Sequence, residues 1–187
     1  MAKKNIFHVA PVWFDLHNRF RGVMPHSKDP TLVVLKGHLL VEEQLQGIIE
    51  DQLSSTSMLK DARLTFYQKL KLAQCIIGRK FSEKTNFENR EYDFGKATEK
   101  LGELRNKLAH NIEVPKMNLL IDNFCSYFED SITEVEIRSY VAWGPDRDKR
   151  LKFSLSQLCC ALLRVRLDKQ DLDAELIKIK PCSTRGK

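Results

Sequence analysis

Three polar residues near the middle of the chain combine the side chains that phosphate chemistry needs. Arg105, Asn106 and His110 lie within the stretch Leu101-Gly-Glu-Leu-Arg-Asn-Lys-Leu-Ala-His-Asn111. Arginine binds phosphate through a planar fork and stays charged at any relevant pH, whereas histidine transfers protons near neutrality. Transesterification of RNA needs both roles, because a proton must leave the 2′-hydroxyl or reach the leaving oxygen while a cation stabilises the charged phosphorane.

These residues are predicted to lie on a helix that runs from about Tyr92 to His110. Its buried face consists of apolar residues at intervals of three and four, namely Phe94, Ala97, Leu101, Leu104 and Leu108. At about 100° per residue, Asn106 and His110 lie almost opposite that face and Arg105 lies at its edge. Gly102 and Ala109 are small residues on the flank of Arg105, so a phosphate or another backbone can approach closely.

Purely structural roles explain the same residues. A histidine beside Asn111 at the end of a helix can cap it and interact with the helix dipole. An arginine at the edge of an apolar stripe often packs its methylene groups on that stripe. Residue type alone therefore does not decide between a catalytic site and a helix cap.

Three segments in the expected order resemble the HEPN superfamily. The first is Arg105-Asn106 followed by His110, which matches its Arg-polar-x-x-x-His signature. The second, residues 36–45 (Lys-Gly-His-Leu-Leu-Val-Glu-Glu-Gln-Leu), is similar to the first-helix pattern of an apolar run followed by an acid. The third, residues 64–73 with Gly78, is similar to the branch that contains the mannitol operon repressor. The resemblance covers roughly residues 30–138.

The resemblance implies a helical bundle that forms a homodimer, in which two Arg/His elements face a shared cleft. Many members are metal-independent endoribonucleases of toxin–antitoxin, phage-defence or RNA-processing systems. By this resemblance Arg105 holds the scissile phosphate, His110 is the general acid/base and Asn106 orients either one. Glu42 or Glu43 is the acidic companion from the first helix, and the helical phase does not decide between them.

Two other functions remain open, because the fold does not determine the function. One is a regulatory or partner-binding module without catalysis, as in the mannitol-repressor-like branch. The other is an immunity or antitoxin-like protein that binds a separate toxin. Either of these would use the same bundle without cutting RNA.

The rest of the chain is predicted to be helical as well, which gives an all-α fold: an antiparallel bundle of four core helices with extra segments at both ends. Residues 1–28 are an irregular basic segment, 29–140 the HEPN-like bundle and 141–187 a basic helical extension. Asp29 and Pro30 begin a first helix to about Leu53, with an apolar stripe that includes Leu32, Leu35 and Leu39. Further helices are predicted over 59–78, 115–139 and 153–178, with a loop over 79–91.

The charge is positive at both ends. Residues 1–28 carry a net charge of +4, 29–145 of −3 and 146–187 of +5. This pattern suits a protein that binds a polyanion, although ordinary solubilising charge explains it equally well. Lys107, Arg164 and Arg166 are the candidate contacts to an RNA backbone, and a solvated helix face is the alternative for the two arginines.

Other chemistries find little support. No Cys-x-x-Cys pair, Cys/His cluster or glycine-rich phosphate loop occurs, so we expect neither a metal nor a cofactor. Cys75, Cys125 and Cys159 lie in apolar stretches, as small buried residues of a reducing compartment do. His38 is interpreted as a residue on the helix surface. No apolar stretch is long enough for a signal peptide or a membrane span, and we expect a cytoplasmic protein.

Overall fold

The computed structural model describes residues 18–26, 28–52, 62–78, 82–84, 91–110, 114–129 and 146–179. The all-α prediction is confirmed, since helices dominate these residues. After a helical stretch at 18–23, the elements are α1 (Pro30–Glu50), α2 (Phe66–Ile77), β1 (Ser82–Lys84), β2 (Glu91–Asp93), α3 (Phe94–Ala109), α4 (Val114–Glu129) and α5 (Arg147–Ile179).

The first two helices begin at side-chain caps. The carboxylate of Asp29 accepts a hydrogen bond from the backbone N–H of Thr31 at 2.9 Å, and Pro30 opens α1 as predicted. At α2, Thr65 and Gln68 form a reciprocal capping box, so this helix begins at Phe66 rather than near residue 59. Gly78, with a φ of 63°, ends this helix, which agrees with the predicted end at residue 78.

Two short strands replace part of the predicted loop at 79–91. β1 pairs antiparallel with β2 in the register Ser82↔Asp93, Glu83↔Tyr92 and Lys84↔Glu91. Three-residue strands are too short to show an alternation of apolar and polar residues, which is why no sheet was expected. α3 follows β2 without an intervening residue, so the hairpin precedes the helix that carries Arg105.

The last helix differs most from expectation. It begins at Arg147, before the predicted start at residue 153, and Asp146 accepts a hydrogen bond from the backbone N–H of Lys149 at 3.3 Å. Four of its leucines are fully buried: Leu151, Leu155, Leu158 and Leu162. Residues 147–166 therefore belong to the core, whereas we had placed them in an extension. The end predicted for α4 lies outside the described residues.

α1 is the central element, because it packs against α2, α3 and α5, while α4 packs against α3 and α5. Gly37 lies against Leu155, and Gly47 lies against Arg166. The order of these contacts shows that α1 and α5 run in the same direction.

The residues of α1 that are buried are those that face α2, α3 and α5, and they are not the residues of the predicted apolar stripe. Leu32, Leu35 and Leu39 are exposed, with Leu39 at 63%, and the core takes residues on other sides of the helix. α1 is apolar around most of its circumference, so periodicity alone could not select the buried side. The buried apolar residues of α1 are Val33, Val34, Leu40, Val41, Leu45, Ile48 and Ile49.

Predictions about the burial of single residues were confirmed for some residues and wrong for others. In the N-terminal segment, which was predicted to be irregular, residues 18–23 are helical and Phe20 is buried. Cys125 and Cys159 are buried, but Cys75 is exposed. α2 packs against the rest of the bundle through one face, which is formed by Leu70, Ala73 and Ile77. Cys75 does not lie on that face.

Candidate functional site

A cleft of about 610 Å³ lies between α1, α2 and α3. This volume falls within the roughly 300–1,000 Å³ that is usual for ligand sites. Each of the three helices contributes polar side chains, and α2 contributes apolar and aromatic ones. The lining residues are His38, Glu42, Thr65, Phe66, Tyr67, Leu70, Glu99, Gly102, Glu103, Arg105 and Asn106.

Gly102 determines how closely α2 approaches α3. A Cβ atom at this position would lie 3.1 Å from Cε1 of Phe66, which is tighter than an ordinary contact. The sequence had indicated that a small residue beside Arg105 would admit a backbone or a phosphate. In the structure it admits the ring of Phe66 instead, and this ring forms part of the cleft.

Arg105 extends from the last turns of α3 and is exposed. Its Nη1 donates a hydrogen bond to Oδ1 of Asn106 at 3.1 Å, so Asn106 orients the guanidinium group. Among the residues that the structure describes, no carboxylate lies within ion-pair distance of Arg105. The group therefore retains donors for an anionic ligand.

The carboxylates of the cleft, in contrast, already have cationic partners. Lys69 binds Glu42 at 2.8 Å. At the exposed rim of the cleft, Lys71 and Lys100 form ion pairs with Glu99 and Glu103 at 2.7 and 2.9 Å. Because each acid is paired with a lysine, the charge of Arg105 is not cancelled by these carboxylates, and a phosphate can be attracted to it.

His38 is buried at 7% exposure, so its assignment to the helix surface was wrong. Its ring packs on Phe66 with 4.0 Å between ring centroids, and its Nδ1 lies 3.9 Å from Oε2 of Glu42, one turn along α1. Burial lowers the pKa of His38 to about 4; Glu42 opposes this shift and the positive charge of Arg105 adds to it. The imidazole is therefore neutral at pH 7.

Sequence reasoning missed His38 because an amphipathic pattern does not reveal which polar residue a neighbouring helix covers. One signal was present. His38 and Glu42 are four residues apart, which puts them on the same side of α1. The contact with Phe66 comes from α2 and could not be read from α1 alone.

The structure distinguishes the two candidate acids of α1. Glu42 lines the cleft together with Arg105 and Asn106. Glu43 instead forms an ion pair with Arg19 at 2.7 Å, on the side of α1 that meets the N-terminal segment. Of the two, Glu42 is therefore the one that shares a site with Arg105.

The other candidate residues do not line this cleft. His110 is exposed just beyond the end of α3, where its backbone N–H donates to the carbonyl of Lys107 at 3.1 Å, and the side chain of Lys107 is also exposed. Arg164 is exposed on α5. Arg166 binds both carboxylate oxygens of Asp51, with Nη2 to Oδ1 at 3.0 Å, and is a structural ion pair.

The described part of the chain contains no group of three or more His, Cys, Asp or Glu side chains placed to hold a metal ion. Within the same residues, no helix has the length and apolar character needed to cross a membrane. Comparisons of the chain with protein families, with curated proteins and with solved structures find no match.

Proposed function

We propose that this protein is a metal-independent endoribonuclease of the HEPN type that cleaves RNA by attack of the 2′-hydroxyl on the adjacent phosphate. One observation carries the proposal. Arg105 presents a guanidinium group that Asn106 orients and no described carboxylate neutralises, at the edge of a cleft that contains Glu42. An arginine in this state is suited to bind a phosphate and to stabilise the additional charge of the phosphorane.

His110 is the proposed acid/base group. It follows Asn106 by about one helical turn and is exposed to solvent at the end of α3, so an RNA backbone held by Arg105 can reach it. Histidine is suited to this role because a small environmental change moves its proton on or off near neutral pH. Lys107 on the same turn adds positive charge where the polyanion would lie.

A homodimer is part of the proposal. The superfamily resemblance implies two Arg/His elements that face one shared cleft, and His110 is not among the residues that line the cleft of its own chain. A second copy would place two helix ends around one RNA strand. The setting that fits such an activity is a toxin–antitoxin or phage-defence system.

The test is an RNA cleavage assay in EDTA with the wild type and with His110→Ala and Arg105→Ala. We expect the wild type to leave products with 2′,3′-cyclic phosphate and 5′-hydroxyl ends, and both variants to lose most of the activity. His26→Ala is a matched control, because His26 is exposed and does not line the cleft. Intact RNA with the wild type, or equal cleavage by His110→Ala, would contradict the proposal.

A second candidate function, a partner-binding regulatory module, is favoured by the exposed leucines of α1. Leu32, Leu35 and Leu39 lie on one side of the helix, and Leu39 is 63% exposed. A row of exposed leucines on a helix is the type of surface that a partner helix covers. This function requires a complex that Leu39→Asp disrupts and Arg105→Ala leaves intact, with no cleavage of RNA by the purified protein.

A further inference from the structure

We propose that His38 is the general base of this site, with Glu42 as the residue that positions its ring. The inference rests on the proposed ribonuclease function and adds a catalytic residue from α1 to the Arg/His element of α3. It is carried by the place of His38 in the cleft, where it shares the lining with Arg105, and by the contacts that hold its ring.

Two neighbouring side chains border the imidazole. The ring of Phe66 packs on it at 4.0 Å between centroids, with 31° between the ring planes. Glu42 faces Nδ1 at 3.9 Å, and Lys69 holds Glu42 in place at 2.8 Å. At 3.9 Å this is not a hydrogen bond, but the negative charge of Glu42 near Nδ1 favours the tautomer with its proton on that nitrogen, which leaves Nε2 as an acceptor.

The surroundings also keep the ring unprotonated. Arg105 on α3 repels a second proton, and burial does the same, so that the pKa of His38 falls to about 4 despite Glu42. Across the cleft, Glu99 and Glu103 are paired with Lys71 and Lys100. On the side of α5, the residue that meets α1 at this level is the apolar Leu155, against Gly37.

The proposed reaction uses His38, His110 and Arg105, and these residues can belong to one protomer or to both protomers of a dimer. The O2′–H bond breaks and its proton passes to Nε2 of His38, while O2′ forms a bond to phosphorus. The P–O5′ bond then breaks, and the leaving oxygen takes a proton from His110. Arg105 neutralises the charge that develops on the phosphoryl oxygens. Afterwards His38 releases its proton to water and His110 regains one, so no further reactant is required.

The decisive experiment compares His38→Asn with the matched control His26→Asn in RNA cleavage between pH 3 and 8. We expect His38→Asn to lower kcat by about 10²–10⁴-fold with little change in KM, which is the usual contribution of an acid/base group. The fall in wild-type rate towards acidic pH should be absent in this variant. Added imidazole should partly restore the rate of His38→Ala, because a free base can enter the space left by the ring.

The possible outcomes separate the two proposals. No cleavage by the wild type overturns both. Cleavage by His38→Asn at the wild-type rate, or a reduced rate with an unchanged pH profile and no rescue by imidazole, overturns the role of His38 alone. If far-ultraviolet circular dichroism shows that the His38 variants do not fold, Glu42→Gln decides, since it keeps the ring: a rate and an acidic limb like those of the wild type would then overturn the inference.

Discussion

Arg105 and Arg166 show how the same residue type acquires different roles in two regions of the molecule. Both were candidates for contact with RNA. Arg166 lies where α5 meets the end of α1 and donates to both carboxylate oxygens of Asp51. Arg105 lies at the cleft between α1, α2 and α3, where its guanidinium group donates a hydrogen bond to Asn106 and has no carboxylate partner among the described residues. The comparison shows that an arginine whose guanidinium group is already paired with a nearby carboxylate is not available to bind a ligand, whereas an unpaired one is.

The surrounding packing differs in the same way. Along the contact of α1 with α5, glycines bring the helices so close that a Cβ at Gly37 would lie 2.5 Å from Cδ1 of Leu155. On the other side of α1, His38 and Glu42 border an open cleft. The side of α1 that faces α5 therefore contributes tight packing to the stability of the fold, and the side that borders the cleft has space for a ligand.

The largest expected effect separates the two arginines directly. Arg105→Ala should lower kcat/KM for RNA cleavage by about 10²–10³-fold, because one oriented donor to the developing charge is lost. Arg166→Ala should leave this value unchanged, since its group is committed to Asp51. Steady-state cleavage of a fluorescent RNA measures both. Equal losses in the two variants would show that the comparison is wrong.

The next effect concerns the cleft side of α1 and depends on pH. His38 has a pKa of about 4 in the folded protein and 6.5 as its ordinary value, so the unfolded chain binds the extra proton first as the pH falls. The stability contributed by the neutral ring is complete above pH 6.5 and is lost as the pH falls towards 4. At about 1.4 kcal/mol per pKa unit, we expect a loss of roughly 2–3 kcal/mol between pH 7.5 and 4.5.

Urea unfolding at the two pH values measures this loss. The control is His38→Asn, which has no titrating group and should show a correspondingly smaller decrease over the same range. Since other groups titrate in both proteins, the difference between the two decreases is the quantity of interest. A difference near zero would mean that the His38 ring is not held neutral by its surroundings.

A third effect tests the tight contact between α1 and α5. Gly37→Ala should destabilise the protein by about 1–3 kcal/mol, because the new methyl group would overlap the side chain of Leu155, which is fully buried. Gly47→Ala is the matched variant: its Cβ meets the guanidinium end of Arg166, a flexible group that can shift. Thermal unfolding of both variants checks this, and a larger loss at Gly47 would contradict it.

The smallest effect concerns the ion pair itself. Asp51→Asn should cost only about 1 kcal/mol or less, since Arg166 and Asp51 are partly exposed and water screens their attraction. The cost should shrink further at 1 M salt. We expect no gain in RNA cleavage from the released guanidinium group, because Arg166 does not line the cleft. A gain in activity would place the substrate on α5.

Local sequence determined the features that depend on neighbours along the chain. Asp29 and Pro30 set the start of α1, and Gly78 set the end of α2, because caps act within one helical turn. Most of the buried face of α3 was also predictable, since its apolar residues recur at helical spacing and little competes with them. The same spacing placed Arg105 and Asn106 away from the core side.

Tertiary structure decided what depends on distant residues. Glu42 rather than Glu43 belongs to the cleft because α2 brings Lys69 and Phe66 to that side of α1. α5 belongs to the core. Arg166 is paired with the carboxylate of Asp51, which lies 115 residues earlier in the sequence. Sequence periodicity shows which side of a helix is apolar, but it does not show which other helix packs against that side. The polar residues that form a site are therefore selected by packing, through contacts that no local pattern contains.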